Sequence, residues 1–527
     1  MPETLTAHSA AAARRPAEFL GHPRALGALF FTETWERFSY YGMRAVLIYY
    51  LYYPPDRGGF GVSEDSAAAQ VSAYAALIYM FGVAGGWVAD RLAGARRTVL
   101  YGGIAIMCGH VALAIPWGIG GTYLGLGCIV VGTGLLKTNV STMVGELYRG
   151  SDERRDAGFS LFYTGLSLGG FAGPLVVGWF QQQDGFHWAF ATTSVGMALG
   201  LLVYVRARPS FGDAGQRPPN PLTGAERRRV LSRIGIGTLL VAGLLGGLAA
   251  AGQLGVGGVV NLVTWVSCAL AVVYFAWLSY SPRTSRAERR QMFAYIPIFL
   301  SAVLFALLSG QTFTVLAEYA SDRVDLGILG WNFPASWFAS VDIFCIVLLA
   351  PVAALVWTRL GPRQPGTYRK MSASLLLVGL SFLVVMLADA LAGRGGKVNA
   401  LWLIGVYLIM AVGEILLSPV GLAAATRLAP AAFVSQGMGL WFLSGAVGNG
   451  LGAQVVTLYN PQHENAYFGW LGGLTIAAAV LLFLAAPRLR PLLAGLEPHS
   501  GPSPTERTSE TVQHDAVTPE EDSGSHG

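Results

Sequence analysis

The sequence predicts an all-α membrane protein with two six-helix bundles, two extra central helices between them, and fourteen transmembrane helices in total. Three observations carry this. First, 53% of the 527 residues are hydrophobic, only 12% are charged, and mean hydropathy is +0.50; ordinary soluble domains carry about 25% charged residues. Second, the apolar residues fall in long runs, each sufficient for a hydrocarbon core that needs about 20 residues at 1.5 Å rise. Third, arginines gather in alternate loops, which is the signature of membrane topology.

The spacing predicts helices at 27–52, 66–90, 96–116, 121–146, 156–181, 187–206, 229–252, 256–280, 292–316, 334–359, 370–393, 399–426, 433–456 and 466–488. Arg14, Arg15 and Arg24 precede the first, Arg91, Arg96 and Arg97 follow the second, and Arg149, Arg154 and Arg155 follow the fourth. Arg206, Arg208, Arg217 and Arg227 to Arg229 surround the loop after the sixth; Arg283, Arg286, Arg289 and Arg290 precede the ninth; Arg359, Arg363, Arg369 and Lys370 follow the tenth. With fourteen spans all these connections fall on one side, so both termini are expected in the cytoplasm of a multi-pass protein of the cell inner (plasma) membrane. The expected organisation is a cytoplasmic segment 1–25, a bundle 26–207, a linker with the extra pair 208–290, a second bundle 291–490 and a disordered tail 491–527, rich in Pro, Ser, Thr, Glu and His. Residues 1–25 hold no continuous apolar segment, so no cleavable signal peptide is expected.

The first helix organises the rest. Its apolar run carries Glu33, Glu36, Arg37 and Arg44. On a helix, Glu33, Arg37, Tyr40 or Tyr41, and Arg44 recur at steps of three and four and share one face, with Glu36 at its margin. Snorkelling to headgroups serves Glu33 but not Arg44, which lies about three turns, roughly 16 Å, further along. Each charge at membrane depth costs at least about 2.5 kcal/mol, so such groups line a wet path and find partners.

Further polar groups interrupt other apolar runs. Lys137, one of three lysines in the chain, sits in Gly132-Thr133-Gly134-Leu135-Leu136-Lys137-Thr138-Asn139. Its nearness to Arg149 allows a snorkelling reading, but the flanking glycines and Asn139 favour a cavity. Glu414, within Gly413-Glu414-Ile415-Leu416-Leu417-Ser418-Pro419, is the matching acid. Asp342 is either a third intramembrane acid or the cap of a helix start. Asp90, Arg91, Arg96 and Arg97 close the second helix, where Asp90 can meet a helix N-terminus or an arginine of another segment. The four cysteines and eight histidines show no metal spacing, and no nucleophile elbow is evident, so neither an enzyme nor a metal site is expected. The positive net charge is read as topology, not as nucleic-acid binding.

The loop Gly85-Gly86-Trp87-Val88-Ala89-Asp90-Arg91-Leu92-Ala93-Gly94-Ala95-Arg96-Arg97 resembles the signature of the major facilitator superfamily. Glu33-x-x-Glu36-Arg37 with Tyr40-Tyr41 and Arg44 resembles the proton-dependent oligopeptide transporter family within it. Similar too are Tyr79, Lys137-x-Asn139-Val140-Ser141, Asp156-Ala157-Gly158-Phe159-Ser160-Leu161-Phe162-Tyr163, Gly413-Glu414-x-x-x-Ser418-Pro419 and Trp441-Phe442-Leu443-Ser444. The resemblance spans about 25–490 and implies a major facilitator fold and a proton-coupled symporter of di- and tripeptides, with no cofactor, acting as a monomer. It implies proton coupling by Glu33, Glu36 and Arg37, and gating by Asp90, Arg91, Arg96 and Arg97. It implies substrate contacts from Tyr40, Tyr41, Arg44, Tyr79, Lys137, Ser167, Gln311, Asp342, Glu414, Trp441 and Ser444. A zwitterionic peptide fits cations in one half, Arg44 and Lys137, and an acid in the other, Glu414. Departures from the family pattern are Thr138 for a proline, Ser167 for an asparagine, Gly310 for a glutamate and Asp342 for an asparagine. Asp342 is therefore expected to replace the lost acid as a partner of Arg44 or Lys137. The competing readings are a fourteen-helix proton-coupled drug antiporter and a transporter of another small zwitterionic solute.

Overall fold

The computed structural model describes residues 18–148, 154–250, 252, 255–328, 330–393, 395–489 and 491. Expectations for Arg14, Arg15, Arg149 and the tail beyond 491 lie outside these residues. Six helices come first: α1 (Arg24–Tyr52), α2 (Glu64–Val88), α3 (Ala95–Ala114), α4 (Gly118–Glu146), α5 (Arg154–Asp184) and α6 (Phe186–Ala207). Then follow α7 (Gly224–Ala250) and α8 (Val256–Tyr280), and after them α9 (Arg286–Ser309), α10 (Val315–Asp322), α11 (Phe338–Leu360), α12 (Thr367–Ala392), α13 (Ala400–Leu428), α14 (Val434–Val455) and α15 (Glu464–Leu489). Among the described residues, eleven segments are long and apolar enough to cross a membrane. α1 falls outside that set because every 18-residue stretch of it holds at least three charged side chains.

Local chemistry sets the boundaries. Pro54 and Pro55 follow Tyr53 and stop α1. Gly94 (φ 77°) turns the chain from α2 into α3, and Gly185 (φ 90°) does so between α5 and α6. Ser285 and Glu288 form a reciprocal cap at the start of α9. The expected single helix over 292–316 is corrected: α9 ends at Ser309, Gly310–Phe313 make one 3₁₀ turn, and Thr314 (φ −134°, ψ −108°) breaks the chain before α10. Gly310 and the β-branched Thr312 and Thr314 are weak helix formers, so contacts elsewhere decide this stretch.

α1 packs on α5 and α6, α3 on α4 and α6, and α2 on α4; later in the chain α12 packs on α13 and α15, α9 on α14 and α11 on α13. Small residues allow these approaches, as between α1 and α5, where a Cβ on Gly169 would collide with the Thr34 carbonyl oxygen. The early and late helices meet along α2–α14 and α5–α11, and α8 lies against both α2 and α14. Thr264 of α8 donates its hydroxyl to the Gly450 carbonyl of α14 at 2.8 Å.

The end holding the start of α1 is called proximal here, and the end holding the α1–α2 turn distal. Among the described residues, the side-chain hydrogen bonds that join α1–α6 to α9–α15 lie in the distal half. Tyr49 Oη donates to the Ala317 carbonyl (3.0 Å) and Tyr53 Oη meets Ser321 Oγ (3.0 Å). Trp337 Nε1 donates to the Leu175 carbonyl (3.0 Å), Ser340 Oγ to that of Phe171 (2.7 Å), and Gln182 Nε2 to that of Asn332 (2.8 Å). Arg323 pins the distal connections by pairing with Asp389 and with Glu464, the latter at 3.0 Å.

Candidate functional site

α1 carries its charged face into the interior. Glu33, Glu36 and Arg37 are each at most 2% exposed. Arg37 Nε lies 2.9 Å from Glu33 Oε1 and 2.7 Å from Glu36 Oε2. One guanidinium thus serves two carboxylates, and Glu36 is a full member of the cluster, not a marginal one. The second cation comes from α4: Lys137 interacts electrostatically with Glu36, Glu33, Arg37 and Tyr40, and its Nζ sits 4.9 Å from the Tyr79 ring centroid. Asn139 is not part of a void; its Nδ2 donates to the Gly85 carbonyl at 3.1 Å and fixes α4 against α2 beside Lys137.

Further along α1, Arg44 is buried, with one Nη 3.5 Å from Tyr40 Oη and its Cζ 4.1 Å from the Phe313 ring centroid. Phe313 also lies 6.2 Å from the Tyr41 ring. The break after α9 therefore brings an aromatic face onto the Arg44 guanidinium, a contact worth about 0.5–2 kcal/mol. Tyr79 of α2 abuts Gly445 of α14 and lies within electrostatic range of both Arg44 and Glu414. Arg44, Lys137, Tyr40, Tyr41, Tyr79 and Glu414 accordingly belong to one constellation between the early and late helices.

Asp342 of α11 lies within electrostatic range of Glu414 of α13, so two acids share this part of the late helices. Asp342 lies beyond the first turn of α11, which begins at Phe338, so it does not cap that helix. Among the described residues it forms no ion pair with Arg44 or Lys137, so the expected compensation is absent from this conformation. Glu414, Ser418 and Pro419 form part of the wall of a cleft of about 620 Å³ whose proximal mouth carries Lys370 and Arg427. Trp441 packs on Gly421, and Ser444 returns its hydroxyl to the Trp441 carbonyl at 2.6 Å. Gln311 is buried and accepts from Tyr467 Oη at 2.9 Å, which orients its amide oxygen toward α15. Ser167 is partly exposed on α5.

The basic loop after α2 holds the segment before α7. Arg96 donates to the carbonyls of Arg208 and Gly212, the Asp90 and Arg91 carbonyls accept from Asn220 and Leu222, and Arg91 lies 3.6 Å from Glu226. Glu226 accepts the Thr223 N–H, which holds its carboxyl below the usual range and keeps it ionised toward Arg91. Asp90 is exposed, and among the described residues its carboxylate forms no ion pair. Among the described residues, no group of three or more His, Cys, Asp and Glu side chains is arranged to hold a metal ion.

The sequence does not single out Phe313, which falls inside the expected apolar helix 292–316, or Glu318, which falls just beyond its end. The run Gly310-Gln311-Thr312-Phe313-Thr314 was the available signal.

Fold and site together define a multi-pass membrane transporter, with buried cations on its early helices and the acid Glu414 on its late ones. The family model for the POT family matches residues 96–471, and the chain belongs to that family. It is 43% identical to the uncharacterized transporter YclF of Bacillus subtilis, over 91% of this chain and 96% of that protein. It is 38% identical to a di-/tripeptide transporter of Lactococcus lactis subsp. cremoris, over 88% and 95%. Among solved structures, a peptide transporter POT in complex with sulfate superposes with a TM-score of 0.88 at 46% identity, covering 90% of this chain and 97% of that one. A POT family transporter in complex with 5-aminolevulinic acid gives 0.86 at 36%, covering 90% and 98%.

Proposed function

We propose that the protein imports di- and tripeptides together with protons, by alternating access across the inner membrane, as a monomer with both termini in the cytoplasm. The observation that carries this is the constellation itself: Arg44 and Lys137 on one set of helices and Glu414 on the other, all inside the protein. A zwitterion presents a carboxylate to the first pair and an ammonium to Glu414, while Tyr40, Tyr41, Tyr79 and Trp441 shape the space between. Recognition of both charged ends tolerates many side chains. Relatives with sulfate or with 5-aminolevulinic acid bound are in keeping with a site built for charged small molecules.

The coupling follows from the charge imbalance. With Glu33 and Glu36 both ionised, Arg37 alone cannot neutralise the cluster, and Lys137 is drawn toward it. Protonating one glutamate releases that hold, so a proton and a peptide carboxylate compete for the same cations. Residues 26–207 and 291–490 act as the two rocking bundles. The distal hydrogen bonds correspond to a state closed on the outside, with the Glu414 cleft leading to the cytoplasm. Asp90, Arg91, Arg96 and Arg97 contribute to gating by holding the linker against the first bundle.

The test is dialanine counterflow in proteoliposomes, with and without a pH gradient. Native protein is expected to concentrate dialanine when the gradient is imposed, and Glu33→Gln or Lys137→Ala is expected to abolish this. Undiminished concentrative uptake by either variant counts against the scheme.

A further inference from the structure

Glu318 stands apart from the charged groups used so far. It lies on α10, is 2% exposed, and neither carboxylate oxygen has a hydrogen-bond partner among the described residues. The titratable groups around it are Glu64 and Asp65 at the start of α2, Asp322 one turn along α10, Tyr52 of α1, Tyr459 before α15 and Tyr467 within it. Cations at this end are engaged elsewhere. Lys397 Nζ donates to the Asp322 carbonyl at 2.7 Å, Arg57 lies over the Tyr53 ring at 5.9 Å, and Arg323 pairs with Asp389 and Glu464.

Its place in the fold is equally particular. The hydrogen bonds that join α1 to α10, from Tyr49 to Ala317 and from Tyr53 to Ser321, bracket Glu318 on both sides. Closing the distal end therefore encloses a carboxyl group among other carboxyl groups and tyrosines, with no cation beside it. Such surroundings accept a neutral carboxylic acid and reject a carboxylate. Nor does an acid precede it nearby: Gly310 stands where a Cβ would lie 2.8 Å from Asn449 Oδ1, and Glu318 is the first acid after Glu288.

We infer that Glu318 is a further proton-binding residue of the transport cycle, taking up a proton from distal water before α1 and α10 can close over it. The inference rests on the proton-coupled reading above and gives it an order of events: outside closure waits on protonation of the carboxyl group on α10. In the opposite state, with the distal end open, Glu318 meets water and returns to the carboxylate.

The sign is fixed by linkage: a group neutral when closed and ionised when open favours closure at low pH and loses it as pH rises. Spin labels on Gln183→Cys and Leu401→Cys, with the native cysteines replaced by alanine, report the distal separation by electron–electron distance measurement. The closed-to-open ratio is expected to fall about tenfold as pH rises from about 5 to about 8, and Glu318→Asp is expected to retain that fall. Glu318→Gln is expected to stay closed at every pH, which also shows that the variant folds. A Glu318→Gln protein that opens with pH as the native one does overturns the inference. Absence of dialanine counterflow in native proteoliposomes would instead remove the transport reading, and the label distances would still decide the role of Glu318.

Discussion

Arg37 is shared by two carboxylates, and Arg44 is shared between a phenol and an aromatic face; neither cation sits in a closed one-to-one pair. That incompleteness suits exchange of partners, because a fully matched buried pair is costly to separate. Phe313 is the residue that the sequence concealed, and its contact with Arg44 has a measurable consequence. Phe313→Ala should remove about 0.5–2 kcal/mol of cation–π stabilisation and so weaken peptide binding by roughly 2- to 30-fold. Titration calorimetry against dialanine checks this, and Phe313→Tyr should restore most of the affinity. Unchanged affinity in the alanine variant would show that Arg44 is oriented by Tyr40 alone.

At the scale of elements, close helix approach rests on missing side chains. Gly169 lets α5 lie directly on α1, so the face bearing Glu33 and Arg37 keeps its depth in the protein. Gly169→Ala forces those backbones apart and should lower stability by about 1–3 kcal/mol. Gly473 of α15 has open space around it, so Gly473→Ala is the matched control and should leave the unfolding temperature unchanged or slightly raised. Thermal unfolding in detergent distinguishes the two. The linker between α6 and α7 is a second element with a definite role, since Arg96, Asp90 and Glu226 tie it to the turn after α2 rather than to the opposite bundle.

At the scale of the molecule, the hydrogen bonds between the two sets of helices are gathered toward one end. A rocking mechanism requires that these bonds break in every cycle. Bridging Gln182→Cys to Asn332→Cys with a short thiol reagent, in a background with the native cysteines replaced, should therefore stop dialanine uptake, and a cleavable reagent should restore it when cleaved. Continued uptake by fully bridged protein would mean that the distal contacts are not a moving gate. The α8 helix adds a constraint of its own: it touches α2 and α14, the helices along which the two sets meet, so any rocking has to slide past it or carry it along.

Much of this was legible in the chain. Long apolar runs give helices almost unaided, because a backbone in lipid has to satisfy its own hydrogen bonds. Most of the long helices, the extra central pair among them, and the charges of α1, α4 and α13 could be read from spacing alone, although the break between α9 and α10 could not. Nor could the meeting of those charges across helices. The break that turns Phe313 onto Arg44 and the meeting of Lys137 with the α1 cluster depend on how helices distant in sequence are rotated and packed, whereas Arg37 meets Glu33 and Glu36 within α1 itself. Burial was equally hidden for Glu318: a glutamate near a helix end is ordinary in sequence, and only the packing of α1 against α10 leaves it 2% exposed with no cation beside it among the described residues. Local hydrophobicity determined which segments cross the membrane, while the relative rotation of those segments, a property of side-chain packing, decided which costly charges share a chamber.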